Sequence, residues 1–357
     1  MSCVIIAEAG VNHNGSLKNA FELVEIAANS GADFIKFQTF NAESLTTKSV
    51  AQADYQVKNL RAATSQFDML KKLELSHSDF LELARHCCAQ NIQFLSTPFD
   101  ESSLHFLVES SLISTIKIPS GEITNLFFLL QCAWTGLPVI LSTGMANLGE
   151  VEAALAALSW GYAKSKLIPS SQELFQCYQS QAGQQLLKEK VTLLHCTSEY
   201  PAPLESVHLN AMKTLREGFG LPTGYSDHTH GISISIAAAA LGASVIEKHF
   251  TISRQMEGPD HKASLEPGEL TELVTSIRQV EKALGHAQKL PSAEEHKTKQ
   301  VARKRLVARS DIREGEVFTP KNVHFKRSSQ GLCASRVFEI LGQVSANAVP
   351  KDGAIYG

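Results

Sequence analysis

Two histidines in the last third of the chain stand at the ends of short runs of β-prone residues. His228 lies in YSDHTHG, and His249 ends the next such run, SVIEKH. Two neutral imidazoles can bind one divalent metal ion and leave positions open for water and substrate. Such an ion would polarise a carbonyl or activate water. The alternative is two ordinary polar histidines; His230 and His261 are weaker ligand candidates, and His230 is typical of a solvated loop.

A second set of residues has the chemistry of a phosphate site. Lys36 and Lys117 supply fixed positive charge, while Ser120-Gly121 and Ser142-Thr143-Gly144 supply hydroxyls beside accessible backbone N–H groups. Both kinds of group suit phosphate oxygens. A single Ser-Gly pair is common in turns, but together these residues predict a pocket for a small, doubly anionic ligand that carries phosphate.

Three carboxylates are candidates for general acid–base catalysis: Glu8, Glu122 and Glu247. Glu122 directly follows the Ser120-Gly121 turn and would lie beside the bound phosphate. Since like charges repel there unless a metal or lysine intervenes, we expect Glu122 to bind a sugar hydroxyl or to orient an attacking water.

The elements that must position these groups are short apolar runs separated mostly by amphipathic stretches. The runs are VIIAEA (4–9), DFIKFQ (33–38), IQFLST (92–97), STIKIP (114–119), PVILST (138–143), VTLLHC (191–196), GLPTGYS (220–226) and SVIEKH (244–249). Strands alternating with helices of period three to four predict a (β/α)8 TIM barrel. A doubly wound sheet is the alternative, but AGVNHNGS after the first run does not match its GxGxxG pattern.

Nearly every predicted strand ends in polar or charged residues. In a barrel, the catalytic groups lie at the carboxyl ends of the strands. A lone lysine at a strand end is more often solvated or paired in a salt bridge. The coincidence of such residues at eight strand ends predicts an active site.

Composition limits the class of protein. The 357 residues carry a formal net charge of -3 and are 43% hydrophobic, and the seven cysteines form no CxxC pair. The chain therefore has no excess of positive charge of the kind that binds nucleic acid or an anionic membrane. The start of the chain, MSCVIIAEAG, lacks a basic region, and no run approaches the ~20 apolar residues of a membrane helix. We therefore expect a cytoplasmic protein.

Composition also predicts two domains. Residues 1–285 form the predicted catalytic barrel, and the charged, apolar-poor stretch 286–302 is a predicted linker. Residues 303–357 are rich in short strands and turns, which predicts a small β-rich domain. It is too short for a robust core of its own, so we expect it to rest on a larger body, its own barrel or a partner's.

Nine ordered motifs resemble the sialic acid synthase family, whose members make nine-carbon nonulosonic acids. They read IAEAGVNHNGSL, FIKFQTF, STPFD, IKIPSGEITN, VILSTGM, LLHCTSEYPAP, GYSDHTHG, VIEKHFT and GPDHKAS. The segment from about Arg303 resembles the antifreeze-like (SAF) domain of these synthases. The resemblance implies condensation of phosphoenolpyruvate with the open-chain aldehyde of an N-acylated hexose, either N-acetylmannosamine or a 2,4-diacetamido-2,4,6-trideoxymannose. C3 of phosphoenolpyruvate attacks the aldehyde, water adds at C2, and phosphate leaves by C–O cleavage.

The resemblance also implies roles for individual residues. It implies that His228 and His249 bind the metal, Mn²⁺ or Mg²⁺. It implies that phosphoenolpyruvate is contacted by Lys36, Thr97, Lys117, Ser120, Ser142, Ser198 and Ser226. It implies that the sugar is contacted by Glu8, Gln38, Asn59, Glu122, Tyr200 and Asp260, and that Glu122 orients the attacking water. Arg327, in HFKRSS, matches an arginine that reaches the partner's active site in a domain-swapped homodimer.

This chain departs from the family pattern after that arginine. The family continues with a rigid proline, whereas this chain reads KRSSQG. The run CTSEYPAP favours the legionaminate branch slightly over the neuraminate branch. Two other functions stay open: a pyruvate lyase on the same barrel, with Lys36 or Lys117 as Schiff-base nucleophile, and a non-enzymatic sugar-binding protein.

Overall fold

Eight parallel strands form the barrel of the first structural unit, Met1–Gly285. The computed structural model describes residues 2–52, 57, 65–164 and 166–356, so Asn59 lies outside the described residues. The strands are β1 (Val4–Gly10), β2 (Phe34–Thr39), β3 (Gln93–Pro98), β4 (Ile116–Ile118), β5 (Val139–Ser142), β6 (Val191–Cys196), β7 (Thr223–Asp227) and β8 (Val245–His249). The hydrogen-bonded order runs β3-β2-β1-β8-β7-β6-β5-β4, and β3 and β4 lie side by side where the sheet closes.

Helices follow the strands and cover the outside of the barrel. They are α1 (Leu17–Ser30), α2 (Ala42–Leu45), α3 (Gln66–Leu73), α4 (His77–Ala89), α5 (Glu101–Glu109), α6 (Leu126–Trp134), α7 (Leu148–Ala163), α8 (Ser171–Gln179), α9 (Gln181–Lys190), α10 (Asn210–Phe219), α11 (Ser233–Ala240) and α12 (Pro267–Leu284). Local signals set their ends. The Ser16 side chain accepts the N–H of Asn19 at the start of α1, and Gly31, with φ of 79°, ends that helix in the left-handed conformation.

The barrel interior has an apolar floor beneath a polar layer. Side chains of alternate residues point inward, and the floor consists of Ile6, Leu95, Ile140, Leu194 and Val245. Two residues further along four of these strands come Glu8, Thr97, Ser142 and Glu247, all buried. A separate and larger apolar cluster packs the strands against the helices. Because side chains alternate along a strand, the residues two positions beyond the floor also point inward and lie nearer the carboxyl end of the barrel.

The second unit, His286–Gly357, is a small β-rich body. Strands β9 (Lys304–Ala308) and β10 (Val323–Arg327) pair antiparallel, and Arg327 lies opposite Lys304. Its core consists of Leu306, Ala308, Ile312, Phe318, Val323, Ile340 and Ile355. A short helix, α14 (Val337–Ile340), follows these strands. The stretch predicted as a linker contains helix α13 (Ala293–Ala302), none of whose residues is buried.

The predicted fold class, a (β/α)8 barrel followed by a small β-rich domain, is confirmed. None of the helices formed by the described residues has both the length and the apolar character needed to cross a membrane.

Candidate active site

Two lysines and two glutamates meet inside the barrel mouth. Lys36 Nζ lies 2.8 Å from Glu8 Oε2 and 3.5 Å from Glu247 Oε2, and Lys117 Nζ lies 3.5 Å from Glu247 Oε1. All four side chains are buried. Buried ions are tolerated only when they are paired. The two lysines and two glutamates therefore stabilise one another as one buried cluster of ionisable groups, which we call the charged centre.

The two glutamates in this centre differ in their affinity for protons. Burial raises the pKa of Glu8 to about 7, although the attraction of Lys36 opposes the shift. Burial also acts on Glu247, but the attraction of Lys117 and Lys36 outweighs it and lowers the pKa of Glu247 to about 2. Glu247 is thus a permanent anion, whereas Glu8 has the proton affinity of a general acid–base group at neutral pH.

The two lysines also differ. Burial lowers the pKa of Lys36, but Glu247 and Glu8 outweigh it, so that the net shift is upward. For Lys117, burial dominates and the pKa is lowered. A Schiff-base nucleophile must be a neutral amine, so Lys117 is the better candidate of the two for that alternative chemistry.

Hydroxyls surround this charged centre at the ends of β3, β5 and β7. Thr97 Oγ1 accepts from Lys36 Nζ at 3.1 Å, and Ser142 Oγ accepts from Lys117 Nζ at 2.7 Å. Ser226 Oγ donates to Glu247 Oε1 at 2.9 Å. These contacts bring together three of the predicted phosphoenolpyruvate ligands with both lysines.

A second hydroxyl cluster lies around Gly144, directly after β5. The Gly144 N–H donates to Ser120 Oγ at 3.0 Å, and Ser120 Oγ lies 3.2 Å from Cys196 Sγ. A Cβ at Gly144 would lie 2.8 Å from Ser120 Oγ, 2.9 Å from Cys196 Sγ and closer still to Ser198 Oγ. Backbone N–H and hydroxyl groups so arranged are suited to an anion, and only glycine leaves room for them.

The two histidines predicted to bind metal face one another, with 5.7 Å between ring centroids. His228 Nδ1 lies 2.6 Å from the carbonyl oxygen of Thr197, which only accepts, so Nδ1 carries the proton and Nε2 keeps its lone pair. Burial lowers the pKa of His228 to about 4 and the pKa of His249 well below its usual value. Both rings are therefore neutral, which is the form that binds metal.

The residues present fit a divalent ion in an open site. His249 Nδ1 is buried and has no hydrogen-bond partner among the described residues, and the Tyr200 ring stacks on His228 at 4.1 Å. Among those residues, no group of three or more His, Cys, Asp or Glu could enclose a metal. Two imidazoles would therefore leave the other positions to water and substrate.

Two further histidines have other roles. His230 is exposed in the loop after β7, as expected for a solvated residue. His261 is buried and bonded through Nδ1 to Thr251 Oγ1 at 2.6 Å and through Nε2 to Asn14 Oδ1 at 3.1 Å. Both ring nitrogens of His261 are therefore used in holding loops together.

A chamber of about 280 Å³ adjoins His249 on the side of β1, β2 and β3. Gln38, Tyr200, His249 and Asp260 line its polar side, and Gln38 Nε2 donates to Glu8 Oε1 at 3.4 Å. Burial raises the pKa of Asp260 to about 6. The chamber brings together three of the six residues predicted to bind the sugar, Gln38, Tyr200 and Asp260.

Glu122 lies apart from the charged centre. It ends a 3₁₀ turn, Ser120–Glu122, and its Oε2 accepts from Asn125 Nδ2 at 2.8 Å. It lines a neighbouring depression together with Asp100 and Asn125. Its role on the attacking water stays a prediction. Arg327 lies exposed on β10 in the second unit, and its role also stays a prediction.

The structure places in the site a residue to which the family resemblance gave no role. The strand-end position of Glu247 made it a candidate acid–base carboxylate, and in the structure it pairs with both lysines. The signal was its spacing: it lies two residues before His249, so both side chains point inward. Gly144 was predicted only as part of the Ser142-Thr143-Gly144 turn, and Cys196 carried no signal, because their contacts with Ser120 depend on how the ends of β4, β5 and β6 meet.

A wider depression of about 1020 Å³ lies at the opposite end of the barrel, where β2 and β3 begin. Its lining includes Asp33 and Arg85. In barrel enzymes, residues at the amino-terminal ends of the strands contribute to stability, whereas residues at the carboxyl-terminal ends carry out catalysis. The functional site is therefore the smaller, charged mouth.

The fold and site define a (β/α)8-barrel enzyme with a cationic, hydroxyl-lined pocket next to a histidine pair. The NeuB family model matches residues 23–289, and the SAF domain model matches residues 303–357. The chain belongs to the NeuB family, which confirms the resemblance seen in its motifs.

Three relatives illustrate the similarity. N,N'-diacetyllegionaminic acid synthase of Campylobacter jejuni is 49% identical over 99% of this chain and 98% of its own length. N-acetylneuraminate-9-phosphate synthase of Homo sapiens is 33% identical over 99% of this chain and 91% of its own. The crystal structure of N-acetylneuraminic acid (sialic acid) synthetase from Leptospira borgpetersenii, in complex with citrate, is 34% identical with a TM-score of 0.68. The match covers 84% of this chain and 90% of that one.

Proposed function

We propose that this enzyme condenses phosphoenolpyruvate with the open-chain aldehyde of an N-acylated hexose to give a nonulosonic acid and phosphate. The observation that carries the proposal is the two-sided mouth of the barrel. A cationic, hydroxyl-rich side adjoins a chamber of about 280 Å³ that is in part apolar, and His249 lines that chamber. The names of the relatives support the same reaction class.

The cationic side would hold phosphoenolpyruvate. Lys36 and Lys117 neutralise its negative charge, while the hydroxyls of Thr97 and Ser142 and the N–H of Gly144 satisfy its oxygens. C3 then attacks the aldehyde carbon, a C–C bond forms, and the aldehyde oxygen takes up a proton. Water adds at C2, and the C–O bond to phosphate breaks. The products are one nonulosonic acid and one inorganic phosphate.

The chamber would hold the acceptor sugar. Gln38 and Asp260 are the polar groups that suit its hydroxyl and amide groups. Glu8, whose pKa of about 7 lets it carry or release a proton at neutral pH, is the group we assign to proton transfer at the aldehyde oxygen. Mn²⁺ or Mg²⁺ held by His228 and His249 would supply a Lewis acid for that oxygen.

Phosphate release tests the proposal. It is expected only when phosphoenolpyruvate, an N-acylated mannosamine and Mn²⁺ or Mg²⁺ are all present. His228→Ala should abolish it, while His230→Ala, at an exposed histidine of the same loop, is the control. Full activity in chelator would contradict the metal role. Phosphate release without sugar would contradict the condensation, and unchanged activity of His228→Ala would contradict the metal role of that histidine.

We further propose that Arg327 completes the site of a partner subunit. Two features of the second unit support this. Arg327 is exposed on β10, and the unit also exposes large apolar side chains, with Phe338 87% and Val344 60% accessible. Exposed apolar groups at such density on a small body are typical of an interface.

A further inference from the structure

The loop that follows β8 carries Asp260 into the chamber beside His249. This β8 loop, residues 250–265, leads to helix α12 and contains one short 3₁₀ turn, His261–Ala263. It is closed at its base, where the N–H of Leu265 donates to the carbonyl oxygen of His249 at 2.9 Å. The position of Asp260 therefore depends on the contacts that hold the body of this loop.

The carboxyl group of Asp260 is not held directly. The side chain is buried, and within the described part of the chain no hydrogen-bond donor or cation contacts that carboxyl group. A carboxylate binds a ligand well only when it is already directed toward it. The direction of the Asp260 side chain therefore depends on the backbone on either side of it.

Asn14, in the loop that follows β1, bonds to the β8 loop on both sides of Asp260. Its Nδ2 donates to the carbonyl oxygen of Glu257 at 2.8 Å, and its Oδ1 lies 3.1 Å from His261 Nε2. Because a carbonyl oxygen only accepts, the amide nitrogen of Asn14 faces Glu257 and its oxygen accepts from His261. The other ring nitrogen of His261 is fixed by Thr251 Oγ1 at 2.6 Å. One asparagine therefore holds the chain three residues before Asp260 and one residue after it.

Asn12 makes a second connection between the same two loops. Its Nδ2 donates to the carbonyl oxygen of Phe250 at 2.7 Å and to Ser264 Oγ at 3.0 Å. Ser264 Oγ donates in turn to the carbonyl oxygen of Asp260 at 2.7 Å. Asn12 and Ser264 are both buried, so loss of either partner would leave polar groups unsatisfied. The β1 loop thus reaches the backbone of Asp260 by two routes.

The close approach of the two loops leaves no room for a side chain at Gly258. A Cβ there would lie 2.5 Å from His261 Cδ2 and 2.8 Å from Asn14 Oδ1. Real Cβ atoms do not approach other atoms so closely, and a tightly packed region has little space to yield. A side chain at this position would therefore separate Asn14 from His261.

We propose that Asn14 is a positioning residue for the sugar, because it sets the direction of Asp260 through Glu257 and His261. None of the described contacts of Asn14 reaches Lys117 or the cationic side of the mouth. Binding of phosphoenolpyruvate should therefore not depend on Asn14. This inference rests on the proposed condensation and adds a residue that acts on the acceptor through another residue.

Asn14→Gly tests the inference with the intact enzyme. Glycine accepts the left-handed backbone of residue 14, where φ is 53°, so the change removes the side chain without straining the turn. Asn91→Gly is the matched control, since φ is 58° there and residue 91 lies just before β3, at the opposite end of the barrel. The acceptor is N-acetylmannosamine or 2,4-diacetamido-2,4,6-trideoxymannose, whichever the unaltered enzyme converts faster.

The expected result is a change in one KM and not in the other. In Asn14→Gly the KM for the sugar should rise roughly tenfold or more, while the KM for phosphoenolpyruvate stays within about twofold. Neither constant should change in Asn91→Gly. An unchanged KM for the sugar, or an equal rise in both constants, would overturn the inference and leave the condensation intact. Absence of phosphate release by the unaltered enzyme with either sugar would overturn the condensation, and the inference with it.

Gly258→Ala tests the same hydrogen bond by adding an atom instead of removing a side chain. Its Cβ would push His261 away from Asn14, whereas a Cβ at Gly268, in the first turn of α12, meets nothing within 4 Å. Gly258→Ala should raise the KM for the sugar and leave the KM for phosphoenolpyruvate unchanged, and Gly268→Ala should change neither. If Gly258→Ala kept the KM for the sugar, the Asn14–His261 bond would not position Asp260.

Discussion

Asp227 and Lys248 form a buried ion pair, with 3.0 Å between Asp227 Oδ2 and Lys248 Nζ. They lie opposite one another in the β7–β8 ladder, and each directly precedes a histidine of the facing pair. Ser235 Oγ of helix α11 also donates to Asp227 Oδ2 at 2.6 Å. The ion pair joins the two strands on the helix side, so it fixes the relative position of His228 and His249 on the inner side.

Lys248→Met should lower the free energy of unfolding by about 3–5 kcal/mol, because removal of one partner leaves Asp227 as a buried unpaired charge. It should also weaken Mn²⁺ binding measured by calorimetry. Lys213→Met is the matched control, since Lys213 pairs with Glu217 at 3.8 Å on the surface of the same unit. Such exposed pairs contribute little. Equal losses of stability in urea titrations of the two variants would contradict the role of the buried pair.

Gly144→Ala should raise KM for phosphoenolpyruvate strongly, because the added Cβ overlaps the hydroxyls of Ser120 and Ser198. Gly121→Ala is the control, since a Cβ there meets nothing within 4 Å. Initial rates against phosphoenolpyruvate concentration measure the effect. If Gly144→Ala kept its KM, the anion would not bind at this cluster.

Glu247→Gln should tighten anion binding while reducing turnover. Glu247 faces both lysines at 3.5 Å, so its negative charge repels a bound anion and competes for those lysines. Loss of one negative charge that competes with the anion for the same two lysines is worth several-fold to roughly tenfold in affinity even with strong dielectric screening. Titration with inorganic phosphate measures the change. Weaker phosphate binding in this variant would show that Glu247 supports the anion site instead of opposing it.

Borohydride trapping should yield no lysine adduct with pyruvate or phosphoenolpyruvate. Lys36 is held charged by Glu8 and Glu247, and Lys117 donates to Ser142. Mass spectrometry of the treated protein measures this. An adduct on Lys117, whose pKa burial lowers, would favour the lyase alternative.

Mixed dimers test the proposed swap of the second unit. Arg327→Ala and Lys117→Ala should each be nearly inactive alone. If Arg327 serves the partner's site, random mixing should restore roughly a quarter of the activity, because half the dimers are mixed and each holds one intact site. Activity no greater than that of the two separate variants would contradict the swap.

Much of the site was predictable because strand geometry is simple. Side chains alternate along a strand and parallel strands align their carboxyl ends, so Glu8, Lys36 and His249 had to meet once the barrel was predicted. The pairing of Lys117 with Glu247 was not predictable, since it depends on the size of the closed barrel. The apolar cluster of Val11, Phe40, Met69 and Leu73 was also not predicted, because helix α3 lies in the long connection between β2 and β3 and carries no catalytic motif.

The fate of the bridging oxygen of phosphoenolpyruvate tests the central claim most directly. With ¹⁸O between C2 and phosphorus, the account predicts labelled phosphate, released only when both the N-acylated sugar and the divalent metal are present. Unlabelled phosphate, or labelled phosphate released without the sugar, would contradict it.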